Sequence, residues 1–236
     1  MKPNRKIFRK LIFLFFLIST SCKSFASELN TWPDETKEVM HHSVDKTGLW
    51  ILGAGVLATV TAFQFDESTR NSWRDHQLMP AETSKVGEFW GQGIPEVLII
   101  GSQLYFEPAQ GLPSAEGLLL GNLAVQVLKY SIGRERPDHS EKVSMPSGHT
   151  QSSFSLATSM TESYGWKVGL PFWGMGVFTG LSRIADDKHW LSDVVAGAAI
   201  GIMFGRAGFY SRPIEPTILF QSGRFDGFAL NYRVGL

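Results

Sequence analysis

Six apolar stretches dominate this chain, roughly 47 to 65, 86 to 106, 114 to 130, 148 to 163, 166 to 183 and 190 to 209, each rich in Gly, Ala or Ser. Runs of this length and composition are helices able to pack closely. The connections "QLMPAETSK", "EPAQGLPSAEG" and "GRERPDHSEKVSMP" hold too much Pro, Gly and charge to continue them. The expected class is therefore all-α, a bundle of about six helices with polar groups at one end. From Arg212 onward the pattern changes: Phe228, Leu230, Tyr232, Val234 and Leu236 alternate, and Asp226-Gly227 is a good two-residue turn. A C-terminal β-hairpin over 213–236, covering the helices, is expected.

The first residues, "MKPNRKIFRK", are basic, "LIFLFFLI" follows, and Ser24-Phe25-Ala26 offers small residues flanking a cut. That is the pattern of a secretory signal peptide over residues 1–26, with 27–212 as the helical domain. A retained membrane anchor and a lipidated Cys22 are the alternatives. Cleavage removes six of the 22 Lys and Arg and none of the 22 Asp and Glu, leaving a net charge near −6. Without a basic surplus, nucleic acid is excluded as a partner. With Cys22 the only cysteine, no disulfide framework exists. Only 47 to 65 is an uncharged run long enough to cross a bilayer unaided, and the mean hydropathy of −0.03 is low for a bundle wholly in lipid.

Cationic and imidazole groups gather in three distant stretches, each at the end of an apolar helix: "KYSIGRERP" (129–137), "PSGH" (146–149) and "SRIADDKHWLSD" (182–193). Singly, each has an ordinary explanation. Lys129, Arg134 and Arg136 could complement a helix C-terminus, "PSGH" could be a turn and cap, and His189 with Asp193 could be a surface pair four residues apart. Together they form an inventory for binding a tetrahedral dianion and attacking it.

Lys129 followed after six residues by Arg136-Pro137, then Pro146-Ser147-Gly148-His149, then Ser182-Arg183, five residues, His189, three residues and Asp193 resemble the three-part signature of the type-two phosphatidic acid phosphatase superfamily. That superfamily also contains bacterial nonspecific acid phosphatases and vanadium-dependent haloperoxidases. The match runs from about Lys129 to Gly205, leaving residues 27 to 110 and the tail uncovered.

The resemblance implies a metal-independent phosphoric ester hydrolase with no cofactor. Lys129, Arg136 and Arg183 would hold the phosphate oxygens, with backbone donors near Ser147 and Gly148. His189 would be the nucleophile, oriented by Asp193, and His149 the acid and then the base. Arg134 matches no position of the signature and reads as a supporting or surface charge; Asp186, Asp187 and Lys188 read as a solvated loop. The other histidines show no metal-ligand spacing. A lipid phosphate is the expected substrate, at a membrane surface in a bacterial cell envelope with the site facing the periplasm. A soluble periplasmic acid phosphatase acting on small esters is the alternative, with a vanadium haloperoxidase a distant third. Nothing in the sequence fixes an oligomeric state.

Overall fold

A computed structural model describes residues 34–210, 214–221 and 224–232; the expected signal peptide lies outside them. The helices are α1 (Asp34–Ser43), α2 (Lys46–Phe63), α3 (Asp66–His76), α4 (Ala81–Gly91), α5 (Ile94–Phe106), α6 (Pro108–Ile132), α7 (Gly148–Tyr164), α8 (Trp166–Ala185) and α9 (Leu191–Tyr210). The helical class holds, but the divisions differ from expectation in three places.

First, the stretch 86 to 106 is two helices. Gly93, at φ 93°, stands in the left-handed region that ends a helix, and Pro95 sits in the first turn of α5, where no N–H is required. Second, α6 begins at Pro108 rather than 114, with Pro113 accommodated inside it. Third, α1 and α3 carry no apolar signature. In α3 the acidic first turn (Asp66, Glu67) and the basic last turn (Arg74, His76) complement the helix dipole instead.

Six helices alternate in direction, with α7 at the centre. Every residue from Thr150 to Met160 is buried, and several of its hydroxyls bond back one turn, as Ser152 Oγ does to the Gly148 carbonyl and Thr158 Oγ1 to that of Phe154. Glycines let α9 lie directly on this helix. A Cβ at Gly197, Gly201 or Gly205 would collide with the carbonyl oxygens of Ser147, Gln151 and Ser155 in turn, so α7 and α9 run parallel in a fixed register. On the other side, Gly121 of α6 faces Gln151 while Gly208 faces Pro113, which sets α6 antiparallel to both.

The same bookkeeping orients the remainder. Gly176 and Gly169 of α8 approach Phe154 and Thr161, so α8 is antiparallel to α7. Glu96 reaches Ser153 and Gln103 reaches Tyr164, so α5 is parallel to it. Asp45 pairs with Arg206 at one end of α2 while Asp66, just beyond the other, meets Ser192. Packing between these layers is apolar, with Ile100, Leu118, Leu156 and Met160 in one cluster and Val39, Phe204 and Ala207 in another. The net result brings the C-terminal ends of α2, α6 and α8 together with the N-terminal ends of α7 and α9.

After α9, Ile214–Gln221 (β1) pairs antiparallel with Arg224–Tyr232 (β2), with a register shift between Leu219 and Phe220. Asp226 and Gly227 lie within β2 rather than at the connection. Gln221 stands opposite Arg224.

Candidate active site

The three motif stretches meet at that common end. Lys129 lies in the last turn of α6, nearly buried, and its Nζ donates to the Val143 carbonyl at 2.6 Å. The chain leaves α6 through Gly133, at φ 60°. Arg136 then takes up an ion pair with Glu141 at 2.9 Å while its Nε stays buried and without a hydrogen-bond partner.

Ser147, preceded by a cis Met145-Pro146 bond, is the N-cap of α7 and accepts from the Thr150 N–H and hydroxyl. Its own N–H donates to the Asp193 carbonyl at 2.9 Å, tying this turn to the start of α9. The sequence reading of "PSGH" as a turn and cap therefore holds alongside its place in the site. Gly148 opens the helix, and His149 follows with Gly91 of α4 pressed against its Cβ.

Arg183, buried in the last turn of α8, is held by Asp186 at 2.7 Å, the Ser182 hydroxyl at 3.2 Å and the Ser84 carbonyl at 3.4 Å, with Glu88 at 3.6 Å. His189 is 3 % exposed by side chain, and its Nδ1 stands 3.7 Å from Asp193 Oδ2. That separation is an electrostatic contact, beyond hydrogen-bond range. Asp193 Oδ2 instead accepts from the Ser144 hydroxyl and, at 2.9 Å, from the Trp190 N–H.

The electrostatics follow from burial among like charges. Burial, reinforced by Arg183 and then by His189, Lys129 and Arg136, pushes the His149 imidazole down to about 3. Burial also lowers His189, which outweighs the opposing pull of Asp193. Both rings are accordingly neutral at neutral pH, among the cationic groups of Lys129, Arg136 and Arg183. Such a site favours an incoming anion, and an anion bound there would return protons to the imidazoles.

Of the two readings of Arg134, the supporting one holds and the surface one does not: 5 % exposed, it donates to Asp193 Oδ1 and Asp66 Oδ2, each at 2.6 Å, and lies over the rings of Phe63 and Trp190. The Asp186–Lys188 loop is not merely solvated either. Asp187 makes a two-pronged pair with Arg70 of α3, both contacts at 3.0 Å, and Lys188 binds Asp138 at 2.7 Å, so the segment carrying His189 is tied to α3 and to the loop after α6. Asp66, Arg70, Ser84 and Glu88 were missed in the sequence because they belong to polar helices with no local motif. Among the described residues no His, Cys, Asp and Glu group has the arrangement of a metal site.

Residues 110–215 match the family model described as the PAP2 superfamily. Over 99 residues the chain is 41 % identical to the Lipid A 1-phosphatase of Porphyromonas gingivalis, a match covering 41 % of this chain and 22 % of that one. The chain thus aligns with about a fifth of the length of this curated relative. Two solved structures share the fold: Aquifex aeolicus LpxE, with a TM-score of 0.54 at 20 % identity over 61 % of this chain and 94 % of the other, and the transmembrane PAP2 type phosphatidylglycerolphosphate phosphatase of Bacillus subtilis, with 0.56 at 18 % over 68 % and 92 %.

Proposed function

We propose that the protein, whose residues 110–215 match the PAP2 superfamily model, is a phosphatase that hydrolyses a phosphomonoester or pyrophosphate, with a lipid phosphate as substrate. The observation that carries this reading is the convergence of Lys129, Arg136, Arg183, His149 and His189 on one end of the bundle, beside the N-terminus of α7. The 41 % identity to a Lipid A 1-phosphatase supports a lipid substrate.

In the proposed reaction the two guanidinium groups and the ammonium group hold the phosphoryl oxygens, with backbone N–H groups at the start of α7 adding donors. Nε2 of His189 attacks phosphorus while the bond to the leaving oxygen breaks, and His149, charged once the anion is bound, gives that oxygen a proton. Water, deprotonated by His149, then attacks the phosphohistidine and releases inorganic phosphate and free His189. Asp193 stabilises the positive charge that develops on His189, closing its 3.7 Å gap as that charge appears.

The lipid reading draws further support from the surface. Leu57, Val97, Leu98, Leu119, Leu123 and Leu170 are exposed on α2, α5, α6 and α8. Exposed aromatics include Trp50, Phe106 and Trp166, at the end remote from the site. Among the described residues two helices, α2 and α9, are long and apolar enough to cross a membrane. The proposed setting is the bacterial cell envelope, with the site facing the periplasm. Because α2, α5 and α6 all run the length of the bundle, α1 then lies on the opposite, cytoplasmic side, a placement opposed to signal cleavage at Ala26, which would leave α1 outside and, after three crossings, the site in the cytoplasm. A soluble periplasmic phosphatase acting on small esters is the competing reading.

One fractionation decides between them. Membranes washed with carbonate should retain activity towards phosphatidic acid or a lipid A phosphate, vanadate should inhibit it, and His189→Ala should abolish it. Activity in the wash, confined to p-nitrophenyl phosphate, would favour the soluble reading, and full turnover in His189→Ala would exclude the phosphohistidine route.

A further inference from the structure

We propose that Asp66 and Arg134 are positioning residues for the nucleophile, forming with Asp193 a carboxylate–guanidinium–carboxylate clamp that holds Asp193 in place behind His189. This inference rests on the reading of His189 as nucleophile, and it extends the site to α3, outside the segment that matches the family model.

The clamp is closely built. Arg134 places its two terminal nitrogens 2.6 Å from Asp193 Oδ1 and 2.6 Å from Asp66 Oδ2. Ser192 completes it, donating its N–H to Asp66 Oδ1 at 2.9 Å and its hydroxyl to Oδ2 at 2.8 Å. Asp66 and Arg134 are each 5 % exposed and Asp193 is fully buried. The guanidinium lies over Phe63 and Trp190 at 4.7 and 5.3 Å, which fixes its plane.

Buried ion pairs seldom add net stability over apolar packing, so an assembly of three buried charges points to orientation. Its charge count agrees. One guanidinium between two carboxylates leaves a single negative charge, and the remaining oxygen, Asp193 Oδ2, is the one facing His189 Nδ1. That charge is matched when His189 becomes cationic in the reaction. The other charges facing His189, Lys129 and Arg136 from α6 and its following loop, repel that cation, as does His149 of α7 once protonated, and leave Asp193 as its counter-charge.

The test is steady-state kinetics of the full-length protein with p-nitrophenyl phosphate and a short-chain phosphatidic acid, comparing Asp66→Asn, Arg134→Met and Arg134→Lys. Asp66→Asn and Arg134→Met should each lower kcat by about 10- to 100-fold with little change in KM. The acid limb of kcat/KM should move in opposite directions. Asp66→Asn leaves an unbalanced cation, which lowers the His189 pKa and shifts the limb to lower pH; Arg134→Met leaves an unbalanced anion and shifts it to higher pH. Arg134→Lys keeps the charge but not the two-pronged grip, so kcat should fall with the limb unmoved, which covers the case where Arg134→Met does not fold. Wild-type kcat in Asp66→Asn, or limbs moving together, overturns the clamp. If the wild type cleaves no phosphate ester, the functional reading fails instead, and the ¹⁵N resonance of His189 Nδ1 still tests the clamp. It should shift in Asp66→Asn, and an unchanged resonance overturns the inference.

Discussion

His189 Nδ1 stands 3.7 Å from Asp193 Oδ2, close enough for charge to be felt and too far for a hydrogen bond. Both oxygens of Asp193 are already engaged, by Arg134, Ser144 and the Trp190 N–H. The partner of the proposed nucleophile is therefore held from behind. Asp193→Asn is expected to lower kcat by about 100-fold or more while vanadate still binds, since the anion cradle is built from other residues. Stopped-flow kinetics and a vanadate titration measure the two quantities separately. Loss of both together would place Asp193 in the fold rather than in the chemistry.

The imidazoles of His149 and His189 are both held below their ordinary value by burial. The folded protein therefore binds fewer protons than the unfolded chain as pH falls through about 6.5, the ordinary histidine value. Stability is fully present above that pH and declines from there down towards about 3, the His149 value. His149→Gln should flatten this decline, and vanadate, by returning a proton to the ring, should raise the His149 pKa in NMR titrations. A decline as steep in the variant as in the wild type would contradict the assignment.

Close contact between α7 and α9 predicts an asymmetric pair of glycine substitutions. Gly201→Ala places a methyl against the Gln151 carbonyl and should destabilise by about 1–3 kcal/mol. Gly53→Ala, in α2 with open space around it, should be neutral or stabilise by up to about 1 kcal/mol. Thermal unfolding of the two variants side by side tests this.

Arg70 and Asp187 tie the His189 loop to α3 by a two-pronged pair. Arg70→Ala should increase proteolytic cleavage within 185–190 and reduce kcat several-fold. Exchanging the charges, Arg70→Asp with Asp187→Arg, should recover part of the loss, since the loop geometry can be served by either polarity. Recovery in neither measurement would leave the pair a surface feature.

Alternation of α2, α5 and α6 separates the site from α1 by the length of the bundle. With Cys22 replaced by Ser, a cysteine at exposed Ser140, near Arg136, should react with a membrane-impermeant maleimide in intact cells. A cysteine at exposed His41 should react only after permeabilisation. The reverse pattern would put the site in the cytoplasm.

Much of the site was legible because each motif is local. Spacing alone places Lys129 one turn from a helix end and Ser147 at a cap, and those are properties of a few consecutive residues. Tertiary contacts then did the assembling: His149 and Arg183 meet across α7 and α8. What could not be read was the polar support from α3 and α4. Asp66 reaches Arg134 across 68 positions, and "DESTR" looks like any exposed charged helix start. Arg134 itself was visible but unassigned, because a basic residue near a helix C-terminus has an adequate explanation without a buried partner. The helix boundaries at 93 and 108 were missed for a different reason, since Pro serves equally to end one helix and to begin the next.

The glycine ladder between α7 and α9 has a consequence for how the protein can fail. Backbone lies on backbone along three successive turns, so no side chain there can repack to absorb a small slip. Register between the two helices is discrete: a displacement of a fraction of a turn meets a carbonyl, and the next allowed seat is a whole turn away. Ser147 and Asp193 ride on these two helices, so warming should not blur the site gradually. Activity should hold nearly level up to the unfolding transition and then vanish with it.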